Sequence, residues 1–65
     1  MSSIELLEKA IEAERAAQAQ YREGAKSADD AETRMLFEQL AHWEESHEAL
    51  LRERVTGLRL LSSSE

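Results

Sequence analysis

The chain has no cysteine, no proline, two glycines and a single residue each of tryptophan, tyrosine and phenylalanine. Without cysteine there is no disulfide, and no thiolate zinc or iron–sulfur site. Without proline, and with glycine so sparse, almost nothing interrupts a helix, and the wealth of Ala, Glu, Leu and Arg favours helix throughout. Basic residues are also scarce, with 8 Lys and Arg against 14 Asp and Glu for a formal net charge of −6. A nucleic-acid partner is thereby excluded, since such a face needs clustered positive charge. No apolar run reaches the length of a membrane span, and the N-terminus lacks the basic and apolar regions of a secretory signal. The expected location is cytoplasmic. Finally, 65 residues bury little core alone, and small scaffolds need a disulfide, a metal or a partner chain. With disulfides excluded, a partner chain and a metal held by oxygen and nitrogen remain.

What is present reads as two helices. Ser2 with Glu5 three residues later forms a capping box, and the first helix is expected over about residues 3–24, stopping at Gly24. After the linker Ala25-Lys26-Ser27-Ala28, the second is expected to open at Ser27 or Asp29, with Asp29, Asp30 and Glu32 favourably placed near the positive end of its dipole. It spans about 28–56, carries Arg52 and Arg54 near its end and stops at Gly57. Residues 1–57 thus form one hairpin and 58–65 a flexible C-terminal tail. The fold class is all-α: an antiparallel helical hairpin whose long edges are covered when two copies dimerise into a four-helix bundle.

Steps of three and four residues expose an anomaly in the packing seams. From Ile4 they visit Leu7, Ile11, Glu14, Gln18, Tyr21 and Ala25. On the second helix they visit Phe37, Leu40, Glu44, His47, Leu51 and Val55, with Leu36, Trp43 and Leu50 widening the face. Both seams are apolar at their ends and polar in the middle. Glu5, Glu8, Glu12 and Glu23 fall outside the stripe and read as solvated. Burying acids without a counter-charge costs several kcal/mol each, on the order of a desolvated ion, and no Lys or Arg falls on either seam. Either the acids are held neutral or a cation sits among them, and a metal ion is the compensation that fits.

Two copies of Glu14, Glu44 and His47 supply four carboxylates and two imidazoles, the inventory of di-iron or di-manganese carboxylate sites in helical bundles. That ligand set suits iron, or manganese, better than structural zinc. Glu-x-x-His alone is weak evidence in a chain with twelve glutamates; the placement of all three residues on the seams gives it weight. The bland alternative is a hydrogen-bonded polar layer that fixes helix register. Among the other polar residues, Gln18 reads as an exposed amide in preference to a donor that supports the ligands from outside, and His42 as a solvated histidine. Glu48 is expected off the seam, where it lines at most an entry path for iron. Met35 is expected to pack, and Trp43 to lie in the core or a dimer interface.

The inward acid Glu14, Tyr21 two turns later and the string L-F-E-Q-L-A-H-W-E-E-S-H ending at His47 resemble the ferritin-like superfamily, particularly rubrerythrin and the two-helix encapsulated ferritins. The resemblance covers about residues 4–55. It implies a ferroxidase that oxidises ferrous iron at a diiron centre shared by two chains, in iron storage or detoxification. Glu14, Glu44 and His47 would be the metal ligands and catalytic residues, and Tyr21 would hydrogen-bond a ligand carboxylate from outside. It further implies a homodimer or larger oligomer, and an encapsulating shell protein around it in a protein nanocompartment; Val55-Thr56-Gly57-Leu58-Arg59 has a faint likeness to a cargo peptide. The rival readings are a rubrerythrin-like peroxide-reducing module and a metal-free helical dimerisation domain.

Overall fold

A computed structural model describes residues 1–63 of the protein. Two α-helices, α1 (Ser3–Ser27) and α2 (Ala31–Ser63), form an antiparallel hairpin. Ser2 starts α1 as expected: its hydroxyl accepts from the Glu5 amide at 3.1 Å, and Glu5 accepts from the Ser2 amide at 3.3 Å. Asp30 does the same for α2, its carboxylate accepting from the Thr33 amide at 2.8 Å. That bond holds the Asp30 carboxyl below its ordinary pKa of 3.8.

The two glycines do not act as the expected stops. The first helix continues one turn past Gly24 and ends where the Ala28 amide donates to the Gly24 carbonyl at 2.9 Å. Gly24 serves packing instead, because a methyl group there would lie 3.0 Å from the Phe37 ring. Likewise α2 runs through Gly57 to Ser63. A lone glycine lowers helix propensity by about 1 kcal/mol relative to alanine, too little to end a helix whose neighbours Val55 and Leu58 pack on α1. The tail expected from residue 58 is therefore helical as far as Ser63, and the stretch Val55–Arg59 lies within α2; Ser64 and Glu65 fall outside the described residues.

On α1 every residue of the expected stripe (Ile4, Leu7, Ile11, Glu14, Gln18, Tyr21, Ala25) is buried or half-buried. On α2 the deepest line is rotated from the expected one. It follows Ala41, Glu48 and Val55, with Phe37, Glu44, Leu51 and Leu58 beside it, while His47 moves to the rim. Ala41, at 3% exposure, is small enough to lie in the contact between the helices, and the heptad positions that follow it, Glu48 and Val55, share its face. Leu36, Trp43 and Leu50, expected to widen the seam, are more than half exposed within the chain, as is Met35 at 67%.

The hairpin measures 55 × 18 × 11 Å, one helix thick. Its radius of gyration is 15.4 Å, against about 11 Å for a compact chain of this length. Its surface is 4996 Å², against about 4,200 Å² for a compact chain of its mass. Among the described residues no helix is long and apolar enough to cross a membrane.

Two outcomes follow for the elements. A methyl group at Gly57 meets nothing within 4 Å, so Gly57→Ala raises stability by about 0.5–1 kcal/mol. Gly24→Ala, which must displace the Phe37 ring, falls short of that gain; urea unfolding at matched chain concentration measures both. Because the folded pKa of Asp30 is depressed, its capping contribution is present above the unfolded value and is lost as pH falls through the lower folded value. Acid unfolding of Asp30→Asn lacks this component.

Candidate metal centre

Glu14 stands thirteen residues before the α1 terminus at Ser27, and Glu44 thirteen after the α2 start at Ala31. The longer α1 and later α2 remove the offset of about one turn that stops at Gly24 and Asp29 would have left. One turn after Glu44, His47 shares its side of the helix. Its Nδ1 lies 3.6 Å from Glu14 Oε2 and 3.7 Å from Glu44 Oε2. One ligand atom from each residue lies within 4.8 Å of the other two. The structure thus brings together all three of the expected ligands.

Their environment is uneven. The Glu14 and Glu44 side chains retain 24% and 20% exposure, whereas His47 retains 54%. Among the described residues Glu14 Oε2 is a fully buried oxygen with no hydrogen-bond donor. A buried acceptor without a donor costs about 1–3 kcal/mol, more when charged, and the groups that converge on it are the His47 nitrogen, at 3.6 Å, and the Glu44 carboxylate. This arrangement fits a cation. Atoms held at about 2.0–2.2 Å from one ion lie up to about 4.4 Å apart, so small side-chain shifts close the three donors on it. The set, two carboxylates and one imidazole without sulfur, suits iron or manganese.

Beside these three lies a polar pair: Gln18, on the expected stripe but with an amide expected to be exposed, and Glu48, expected off the seam. Gln18 is buried, with 7% exposure, and its amide donates to Glu48 Oε1 at 2.7 Å. Glu48 sits in the seam, and its Oε2 accepts from Arg52 Nε at 2.7 Å. The Gln18 amide, and after it the Arg52 guanidinium, hold the Glu48 carboxyl below its ordinary pKa. The heptad series Ala41, Glu48, Val55, small and apolar on either side, is the signal that marks Glu48 as inward. Arg52 is also the cation that the stripe did not include, since it reaches Glu48 from the solvent side.

The remaining candidates occupy the periphery. His42 is 71% exposed and lies 3.9 Å from Glu45, which also pairs with Arg22, as expected of a solvated histidine. Tyr21 packs its ring against Phe37, with centroids 6.2 Å apart. Both rings lie on the turn side of the site, and within one hairpin the Tyr21 hydroxyl makes no hydrogen bond to Glu14, Glu44 or His47 among the described residues.

Comparison with known proteins was decisive at the level of family. The family model described as rubrerythrin matches residues 5–63, nearly the whole chain. The chain belongs to the rubrerythrin family. No curated protein and no solved structure matched it. Membership in the rubrerythrin family, together with the carboxylate–imidazole cluster, identifies a ferritin-like metal-binding module with Glu14, Glu44 and His47 as its candidate metal cluster.

The orphaned oxygen makes a prediction for the metal-free protein. Glu14→Leu raises its stability by about 1–3 kcal/mol, the burden of an unsatisfied buried group, as thermal unfolding in the presence of a chelator would show. A fall in stability would mean that Glu14 is satisfied in solution and needs no cation.

Proposed function

We propose that two hairpins pair into a four-helix bundle and that Glu14, Glu44 and His47 of both form a diiron ferroxidase centre. The observation that carries this reading is the buried, donorless Glu14 oxygen facing Glu44 and His47. One chain offers three ligand residues and leaves the imidazole half open to solvent, so a single hairpin makes an incomplete cage. A second copy supplies the missing ligands and the missing layer.

The apolar face supports the pairing. Leu36, Trp43 and Leu50 recur at seven-residue intervals beside His47, all more than half exposed. The hairpin's surface exceeds that of a compact chain by about 800 Å², which is about what each partner buries in a standard stable interface. Covering this stripe with its own copy would also enclose His47. Tyr21, with no ligand to bond inside its own hairpin, would donate to a carboxylate across the pair.

In this reading ferrous iron is the substrate. Two ferrous ions each give one electron to dioxygen or peroxide, and ferric iron leaves. The protein's residues bind and align. Glu14 and Glu44 would bring negative charge that favours the higher oxidation state, the His47 imidazole would add a nitrogen ligand, and the apolar stripe, once covered, would exclude bulk water. The acidic surface concentrates cations near the site. A bundle with no interior room stores no mineral, so the ferric product passes to a second compartment; an encapsulating shell protein in the cytoplasm is the partner this reading requires. The rubrerythrin-like alternative is peroxide reduction at the same residues with electrons from a separate donor.

Anaerobic titration of metal-free protein with ferrous iron, followed by air, tests the proposal alongside sedimentation of the same samples. Expected are about one iron per chain, oxidation faster than in buffer, and loss of both in Glu14→Ala and His47→Ala. Trp43→Glu should give monomers that bind iron weakly. Absence of saturable binding, with a dimer still present, would leave the chain a metal-free dimerisation domain.

A further inference from the structure

The hydrogen bond between Gln18 and Glu48 is part-buried, crosses the seam, and has no part in binding metal as described above. Its position in the fold gives it a task. Gln18 follows Glu14 by one turn on α1, and Glu48 follows Glu44 by one turn on α2. Because the helices are antiparallel, these steps run in opposite directions along the hairpin. Gln18 therefore lies on the turn side of the Glu14–Glu44 level and Glu48 on the open side, by equal displacements, so the two pairs share one midpoint. Side chains lean toward the N-terminus of their own helix, so Gln18 and Glu48 lean toward each other. Their 2.7 Å bond spans the level where the ligands meet.

A bond laid partly along the axis resists sliding. Moving α1 against α2 changes the Gln18–Glu48 span directly, whereas the apolar contacts of Ile11, Ala41 and Val55 tolerate small shifts. The other constraints on register, the turn at Ala28–Asp30 and the fit of Phe37 over Gly24, are at the closed end. Glu14 is thirteen residues from the end of α1 at Ser27, a separation of about 20 Å. Arg52 completes the lock, since its bond to the second Glu48 oxygen at 2.7 Å leaves the carboxylate one orientation toward Gln18. A polar pair in an apolar seam sets register at some cost in stability, and this one is fully satisfied while the cluster beside it is not.

We propose that Gln18 and Glu48 are positioning residues, whose hydrogen bond, held by Arg52, sets the axial register that aligns Glu14, Glu44 and His47 as one ligand set. The proposal rests on the reading of those three residues as metal ligands. Neither Gln18 nor Glu48 touches the ion. They act by keeping the ligand-bearing turns opposite each other, so that binding metal requires no sliding of the helices.

The test compares wild type with two double variants. In Gln18→Leu/Glu48→Leu the seam becomes apolar and the lock is gone. In Gln18→Glu/Glu48→Gln the donor and acceptor trade helices, so a hydrogen bond across the seam is kept. Anaerobic ferrous-iron affinity is measured for each, and nuclear Overhauser contacts between the methyl groups of Ile11 and Val55, which line one groove on the open side of the ligands, are recorded without metal. The apolar variant should melt no lower than wild type yet bind iron about tenfold more weakly, the low end for loss of a residue that orients ligands, and its methyl contacts should become multiple or weak. The exchanged variant should keep the wild-type methyl contacts and most of the affinity. Wild-type affinity with unchanged methyl contacts in the apolar variant would overturn the proposal, as would an exchanged variant no better than the apolar one. If the doubly apolar chain fails to fold, Gln18→Met is read by the same two measurements. The methyl contacts need no metal, so a wild-type chain that binds no iron defeats the ferroxidase reading, whereas unaltered methyl contacts in the apolar variant defeat this one.

Discussion

The structure turns on a carboxylate oxygen that the fold buries and does not satisfy. Glu14 Oε2 has neither solvent nor a donor, and the groups nearest it are the imidazole and the carboxylate of α2. A hairpin of this size has little stability to spare, and an acid at that position works against it. In the same seam the Gln18–Glu48 pair is matched. The persistence of one unmatched site in the middle of the contact identifies the place where something cationic belongs, and membership in the rubrerythrin family agrees with that reading.

The contrast within the seam is instructive because the two polar sets are close and chemically alike. Glu48 is as inward as Glu44, yet both of its oxygens are bonded, one to Gln18 and the other to Arg52. Glu14, Glu44 and His47 converge without closing, at separations just beyond hydrogen-bond length. One set is complete within the chain and the other is not. The physics that makes a satisfied buried pair a specifier of geometry makes the unsatisfied cluster a receptor, and the two together account for every polar residue in the centre of the seam.

The shape of the hairpin carries the same message at larger scale. At 11 Å thick it has one packed seam and two open faces, and the apolar stripe at Leu36, Trp43 and Leu50 lies on the side where His47 is exposed. An incomplete ligand set and an incomplete core thus coincide on one surface. Pairing with a second copy would complete both, which is why the proposed function treats assembly and metal binding as one event.

Periodicity and capping alone determined the two helices, the antiparallel hairpin, the α1 seam to the residue and the choice of Glu14, Glu44 and His47 as the polar residues that the fold brings together, because each of these depends on local spacing and on the cost of burying charge. The helix ends were less legible. Gly24 and Gly57 read as stops, yet a glycine's small helix penalty yields to packing, and whether a glycine ends a helix or admits a neighbour such as Phe37 depends on what lies opposite. Glu48 was misplaced for a related reason: a heptad stripe leaves the rotation of α2 uncertain by a fraction of a turn, and only packing settles it; Gln18 lay on the α1 stripe, yet spacing could not reveal the Glu48 partner that accounts for its burial. Only the tertiary structure could show which carboxylate is satisfied and which is not, since a hydrogen-bond donor thirty residues away in the chain comes within reach only when the helices have packed.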